Sequence, residues 1–194
     1  MNQADDTALY EAFLEGDNSA YDSLMIKYGD ALTMYLKGFL ESWEDAEDLM
    51  IEAFARIMVK KPKIESDHFK AYLYRIAHNL VSHFYSSFKK RKDFSLDSID
   101  IEVECDTLGE NPSDVSNPYE SFWDDEKKRI IRTCLGRINE DMREALWLFY
   151  FDNLSYKDTA AVMNVNFKKI DNLLTRGRKC LKEELEKEGI TDAY

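Results

Sequence analysis

Residues 154–185 read LSYKDTAAVMNVNFKKIDNLLTRGRKCLKEEL. Ser155 and Asn166 each stand where an N-cap would begin a helix, and apolar residues recur at helical spacing after both. Asn164 lies between the two segments and tolerates the left-handed conformation that a tight turn requires. A helix pair of this kind, with a second helix rich in Lys and Arg, is typical of a helix-turn-helix that enters the major groove of DNA.

A net charge of −12 would oppose DNA binding if it were spread evenly along the chain. Twelve acidic residues lie between Asp93 and Glu126 without any Lys or Arg, so this segment alone carries −12. The other residues are neutral in sum, and residues 56–92 and 127–194 are basic. The segments that could contact DNA are therefore local, and the net charge originates elsewhere.

Hydrophobic periodicity predicts helices on both sides of the acidic segment. The predicted helices before it are a short one at Leu9–Leu14, a long one at 21–39, one at 43–60 capped by Ser42 and ended by Pro62, and one from His68 to about Lys92 capped by Asp67. After it we expect helices at about 123–137 and 140–152, followed by the helix pair.

The predicted fold class is all-α, with two helical domains joined by a long acidic linker. Residues 93–122 form the linker, because they contain two Asn-Pro pairs and many Ser and Asp residues. A loop of that length is not expected inside a compact domain. We therefore expect domains at residues 1–92 and 123–194.

Composition and motifs exclude several classes of protein. No apolar run is long enough to span a membrane, and the acidic N-terminal stretch is unlike a secretory signal, so we expect a cytoplasmic protein. Cys105, Cys134 and Cys180 are odd in number and widely spaced, which favours reduced thiols, with Cys105 incidental and not a sensor. The three histidines lack metal-ligand spacing, and no catalytic constellation is present. We expect no metal, no cofactor and no enzymatic activity.

The predicted fourth helix combines an apolar stripe with a second face rich in bases and aromatic rings. The predicted buried stripe consists of Leu73, Ile76, Ala77, Leu80 and Phe84. On the other face, cations could follow phosphates and rings could stack on unpaired bases of single-stranded nucleic acid. The alternative is that the aromatic residues belong to the core and the charges are solvated.

Three stretches resemble a known family. Residues 43–57, WEDAEDLMIEAFARI, and 69–84, FKAYLYRIAHNLVSHF, resemble the second domain of the extracytoplasmic-function group of bacterial RNA polymerase sigma factors. Residues 143–185 are similar to the fourth domain of that group. The resemblance covers about residues 8–92 and 120–187. It implies a protein that binds core RNA polymerase and directs promoter-specific initiation, with promoter DNA and a cognate anti-sigma factor as further partners.

The resemblance also implies site residues. The residues matching the polymerase-docking helix are Asp45, Glu47, Asp48, Leu49, Glu52 and Arg56. Those matching the segment that recognises and melts the −10 element are Phe69, Tyr72, Arg75, His78, Asn79 and Ser82. The predicted −35 contacts are Lys168, Lys169, Asp171, Asn172, Thr175, Arg176 and Lys179.

The last helix departs from the family pattern. Asp171 and Leu173 stand where the family usually has cations, and Thr159 replaces a usual Ile in the preceding helix. Aspartate can accept from a cytosine amine but cannot hold a guanine edge. We therefore expect an uncommon −35 sequence. Leu173 could contact only a thymine methyl or the core.

The family's two promoter elements lie roughly 60 Å apart, so the linker has to be extended when both are bound. In the family this linker passes through the polymerase cleft and the RNA-exit channel, and a polyanion would suit such a basic channel. The alternative is a solubilising tether.

Two other functions remain open from the sequence. One is a helix-turn-helix regulator that binds duplex DNA without polymerase. The other is a sigma-like interaction protein without promoter activity, such as a decoy or an anti-sigma factor. Run-off transcription with core polymerase distinguishes them.

Overall fold

The computed structural model describes residues 3–65, 68–95 and 126–190, and this part of the chain contains helices and no strand. The predicted cap Asp67, most of the predicted linker and Cys105 lie outside the described residues. Eight α-helices and one π-helical segment are present in the described residues. They are α1 (Gln3–Leu14), α2 (Asn18–Lys37), α3 (Trp43–Lys60), α4 (Phe69–Ser95), α5 (Glu126–Gly136), α6 (Glu140–Leu146), a π-helical segment (Trp147–Phe151), α7 (Tyr156–Val162) and α8 (Phe167–Lys187).

Helices α1–α4 form an amino-terminal bundle. Ser42 caps α3 as predicted, because its hydroxyl accepts hydrogen bonds from the amides of Glu44 and Asp45 at 3.1 and 3.4 Å. Helix α3 ends at Lys60, and the next residue, Lys61, has a left-handed φ of 43° directly before Pro62. Helix α4 continues to Ser95, three residues beyond the predicted end of the first domain.

The remaining helices form a carboxyl-terminal bundle around α8, which packs against α5, α6 and α7. The side chains of Ser155 and Asn166 cap α7 and α8, as predicted. The predicted helix at 140–152 instead changes to a π-helical segment at Trp147, and the amide of Asp152 donates to the carbonyl of Trp147 at 3.1 Å. Asp152 thereby ends the segment and forms a hydrogen bond with a side chain of α4.

Helix α4 is buried on two sides, which the sequence analysis did not predict. Leu73, Ala77 and Leu80 are buried in the amino-terminal bundle as expected. Tyr74, one of the aromatic residues for which a core position was the alternative, is also fully buried, and α7 packs against α4 from the other bundle. The buried residues of the two bundles consequently form one continuous hydrophobic core.

Thr159 is fully buried in α7, and its hydroxyl has no hydrogen-bond partner among the described residues. A buried hydroxyl without a partner destabilises a fold by about 1–3 kcal/mol. We therefore expect Thr159→Val to raise the free energy of unfolding by about 1 kcal/mol or more, as measured by urea denaturation.

Thr33 provides the matched control. It is buried to the same degree, but its hydroxyl donates to the carbonyl of Gly29 at 3.0 Å. Thr33→Val should leave the free energy of unfolding unchanged or lower it. A Thr159→Val protein no more stable than the unaltered chain would contradict this account of the buried hydroxyl.

Candidate polymerase and nucleic-acid interfaces

The outer face of α3 combines acids with apolar side chains. Of the six predicted polymerase contacts, Asp48 and Glu52 are exposed, Asp45, Glu47 and Arg56 are half-buried, and Leu49 is buried in the core. Arg56 donates to Glu52 at 2.6 Å one turn away, so these two charges partly compensate each other.

Three apolar residues on this face were missed by the sequence analysis. Ile51, Met58 and Val59 are exposed, and Val59 retains 82% of its accessible surface. They recur with Asp48 and Glu52 at helical spacing and so lie on one stripe. The sequence did contain a signal for them, because they are apolar but lie outside the apolar repeat that forms the core stripe of α3. An exposed stripe of mixed acidic and apolar residues is suited to docking on another helix.

The predicted −10 residues of α4 fall into three groups. Arg75, Asn79 and Ser82 are exposed along one line of the helix, and Tyr72 is half-buried beside them. Phe69 is only 2% exposed, because its ring packs 5.3 Å from the ring of Tyr10 in the core. The structure therefore does not place Phe69 where it could contact a base.

His78, the sixth predicted −10 residue, contacts the carboxyl-terminal bundle. Its Nδ1 lies 2.8 Å from Oε1 of Glu144, a residue of α6 that is 4% exposed. The hydroxyl of Tyr35 donates to the same oxygen at 2.6 Å. The hydrogen bond to Glu144 raises the pKa of His78 against the opposing effect of burial, and Asp141 and Glu140 add smaller contributions.

Asp152 forms a second polar contact with α4. Its Oδ1 accepts a hydrogen bond from the hydroxyl of Tyr74 at 2.6 Å and lies 3.2 Å from Nζ of Lys70. Burial raises the pKa of Asp152, and Lys70 opposes that effect. Burial is the main reason that the pKa of Tyr74 lies well above its ordinary value, and the nearby Asp152 carboxylate raises it further. The Tyr74 hydroxyl therefore remains a hydrogen-bond donor.

The helix-turn-helix has the predicted geometry. Asn164 adopts a left-handed φ of 53° in the turn, and Oδ1 of Asn166 accepts from the amide of Lys169 at 2.9 Å. Gly177 allows α8 to approach α6 closely, because a Cβ at this position would lie 3.2 Å from Leu146. Leu173 is buried, so it supports the core.

All seven predicted −35 residues are exposed on the outer face of α8. Lys169 is paired with Asp141 of α6 at 3.3 Å, and both side chains remain about half exposed. Phe167, which the sequence analysis missed, begins α8 with 58% of its surface exposed. An exposed aromatic residue directly after the cap was the available signal, and this end of a recognition helix lies nearest to base edges.

The described residues contain neither a metal-ligand cluster nor a membrane-spanning helix. No group of three or more His, Cys, Asp and Glu side chains there could hold a metal ion. Among the helices of that part of the chain, none is long and apolar enough to cross a membrane.

Comparison with known proteins identifies both bundles. The family model for sigma-70 region 2 matches residues 24–91, and the model for sigma-70 region 4 matches residues 128–181. The RNA polymerase sigma-H factor of Pseudomonas aeruginosa is 27% identical over 189 residues, covering 96% of each chain. The ECF RNA polymerase sigma-E factor of Escherichia coli K12 is 26% identical over 185 residues, covering 95% of this chain and 96% of its own.

Solved structures share the fold. CnrH in complex with the cytosolic domain of CnrY matches with a TM-score of 0.63 and 18% identity, covering 94% of this chain and 97% of CnrH. RpoE in complex with the anti-sigma factor NepR from Bartonella quintana matches with a TM-score of 0.58 and 21% identity. That match covers 86% of this chain and 96% of RpoE.

The contact between His78 and Glu144 predicts a pH dependence. Since the pKa of His78 is raised in the folded chain, the stabilisation from its charged form is fully present below about pH 6.5. It is lost as the pH rises through the raised value. We expect Glu144→Gln to lower the pKa of His78 and to weaken this part of the pH dependence of the melting temperature.

The pKa can be followed by the NMR shifts of the imidazole protons, assigned by comparison with His78→Gln. An exposed acid outside this contact, Asp30, supplies the control, and Asp30→Asn should leave the titration of His78 unaltered. An unchanged titration of His78 in Glu144→Gln would contradict the contact.

Proposed function

Because the chain belongs to the sigma-70 family of RNA polymerase sigma factors, in its extracytoplasmic-function group, we propose that three of its surfaces divide the work of promoter recognition. It is an alternative sigma factor that directs promoter-specific transcription with RNA polymerase. The observation that supports this function most directly is that the region 2 model matches the amino-terminal bundle and the region 4 model matches the carboxyl-terminal bundle. The two regions follow each other in the same order as in the family. The polymerase performs the chemistry, so we assign the chain no catalytic role and place its work in the cytoplasm.

The stripe on α3 is the proposed polymerase-docking surface. Asp48 and Glu52 supply exposed negative charge, and Ile51 and Val59 supply apolar area that becomes buried only when a partner covers it. Leu49 contributes indirectly, because it is buried and fixes α3 against the core.

The exposed line of α4 is the proposed −10 surface. Arg75 can contact a phosphate, Asn79 and Ser82 can form hydrogen bonds with the edges of unpaired bases, and Tyr72 offers a ring for stacking. His78 can join this surface once it is released from Glu144. Phe69 belongs to the wall behind it.

The outer face of α8 is the proposed −35 surface. Lys168, Arg176 and Lys179 supply charge for phosphates, while Asp171 and Asn172 lie on the exposed N-terminal half, where base edges come within reach. We add Phe167 as a contact for a thymine methyl.

The partners of this chain include a cognate anti-sigma factor in our proposal. Support comes from the solved relatives, since CnrH is bound to the cytosolic domain of CnrY and RpoE is bound to the anti-sigma factor NepR.

Run-off transcription with core polymerase and a promoter library tests the function. We expect promoter-directed transcripts only when the protein is present, and a strong decrease for Asp48→Lys because the docking charge is reversed. Asp30→Lys makes the same change in net charge at an exposed position of α2 and should transcribe normally.

Duplex binding without any transcript would favour a helix-turn-helix regulator. Polymerase binding without a transcript would favour an interaction protein. Equal activity of Asp48→Lys and Asp30→Lys would remove the docking role from this face of α3.

Selection from promoters with a randomised −35 element tests the role of Asp171. Asp171→Arg should shift the preference toward guanine at one position by about 1–3 kcal/mol, because arginine can hold the guanine edge and aspartate cannot. Glu183→Arg, at an exposed position further along α8, should strengthen all sites alike. If Asp171→Arg selects the same sequences as the unaltered chain, Asp171 does not contact bases and serves only as an acid near the start of the helix.

A further inference from the structure

A cavity of about 190 Å³ lies where the end of α2 faces α5 and α6. None of the residues that line it belongs to the docking, −10 or −35 surface. Both of its walls include apolar side chains, which are Met34, Tyr35 and Phe39 on one side and Leu135 and Trp147 on the other. The cavity is therefore a small, largely apolar space to which the proposed function assigns no role.

The same cavity carries an excess of positive charge. Among the described residues that line it, Lys37, Arg132 and Arg143 are cations and Glu144 is an acid. The acid is already engaged within the protein, because its Oε1 accepts a hydrogen bond from the hydroxyl of Tyr35 at 2.6 Å. All three cations are half-buried, so water and salt screen their charge less than they would on an open surface.

Two of the cations lie against one aromatic ring. Nζ of Lys37 is 5.6 Å from the centre of the Trp43 ring, and the guanidinium carbon of Arg132 is 5.9 Å from it. Burial lowers the pKa of Lys37, and the charge of Arg132 lowers it further. Burial also lowers the pKa of Arg132. Both charged forms are thus disfavoured where they stand, and an anion beside them would favour both.

The hydrogen-bond donors of the cavity suit a carboxylate. The ammonium group of Lys37 donates to the carbonyl of Leu40 at 3.0 Å, which uses one of its three N–H groups. A guanidinium group such as that of Arg132 has its donors in a planar fork, which matches the two oxygens of a carboxylate. An ammonium and a guanidinium group together can therefore bind one carboxylate.

The volume of the cavity limits the size of its ligand. An apolar cavity of about 150 Å³ is large enough to bind benzene, so a cavity of about 190 Å³ accommodates one aromatic ring with a carboxylate. Ligands of drug size need pockets of about 300–1,000 Å³ and are too large. A small inorganic anion would leave the apolar walls without contacts.

We propose that this cavity binds a small aromatic carboxylate, with the ring against the apolar walls and the carboxylate at Lys37 and Arg132. The inference goes beyond the proposed function, because it assigns the chain a small-molecule site that is separate from its polymerase and promoter surfaces. The ligand contacts residues of α2 and α5 at once, so its binding also stabilises the folded chain by mass action.

Two matched probes test the proposal on the unaltered chain. The molecules para-fluorobenzoate and para-fluorobenzamide have nearly the same shape, but only the first is charged. In titrations followed by fluorine NMR, we expect saturable binding of the carboxylate with a dissociation constant of about 1 mM or lower. The amide should bind at least about tenfold more weakly, because it lacks the charge that the cations recognise. No saturable binding of the carboxylate, or equal binding of both probes, would overturn the proposal.

Inorganic phosphate distinguishes this ligand class from anions in general. Phosphate at the same concentration as para-fluorobenzoate should leave the fluorine signal of the bound probe unchanged, because it gains no contact with the apolar walls. Displacement of the probe by equimolar phosphate would show a general anion site and would overturn the assigned ligand class.

Replacement of single cations tests the location of the site. Arg132→Gln and Lys37→Gln each remove one proposed carboxylate contact and should weaken the binding of para-fluorobenzoate at least about tenfold. Arg129→Gln makes the same change in charge at an exposed position of α5 and should bind the probe as the unaltered chain does. Equal binding by Arg132→Gln, Lys37→Gln and Arg129→Gln, with native helicity by circular dichroism, would overturn the assignment to this cavity.

Discussion

The hydrogen bonds of two buried carboxylates connect the halves of this chain. Glu144 and Asp152 come from the carboxyl-terminal bundle, but their hydrogen-bonding and ionic partners include Tyr35, Tyr74, Lys70 and His78 of the amino-terminal bundle. Since a buried carboxylate that loses hydrogen-bond partners is strongly unfavourable, burial of both acids depends on the partners that the amino-terminal bundle supplies. The closed arrangement is therefore held by charge and hydrogen bonding at its centre as well as by apolar contact.

The distribution of charge explains how an acidic chain can select promoters. The −12 of the whole molecule equals the charge of the segment from Asp93 to Glu126, while α8 carries Lys and Arg on its outer face and α3 carries acids. Each exposed surface therefore has the sign that suits its proposed partner, DNA for α8 and a polymerase helix for α3. Net charge describes none of these surfaces.

Local signals in the sequence were sufficient for most of the helices and for three of their caps. Ser42, Ser155 and Asn166 each precede an apolar repeat, and each caps a helix in the structure. Only one of the two buried faces of α4 could be predicted from the sequence. Periodicity identifies the stripe that packs within its own bundle, but it carries no information about a distant segment that covers the opposite face. A core position for Tyr74 was therefore only one of two alternatives, and Glu144 and Asp152 resemble ordinary solvated acids in the sequence. The π-helical segment, which ends at Asp152, also lacks a local signal that would distinguish it from a continuing helix.

A structure of the chain in a promoter-bound polymerase complex, determined by cryo-electron microscopy, tests the central claim most directly. We predict that α4 contacts the melted −10 element and α8 lies in the major groove of the −35 element, roughly 60 Å away, with His78 separated from Glu144. A complex in which both elements are bound while His78 still contacts Glu144 would contradict the account.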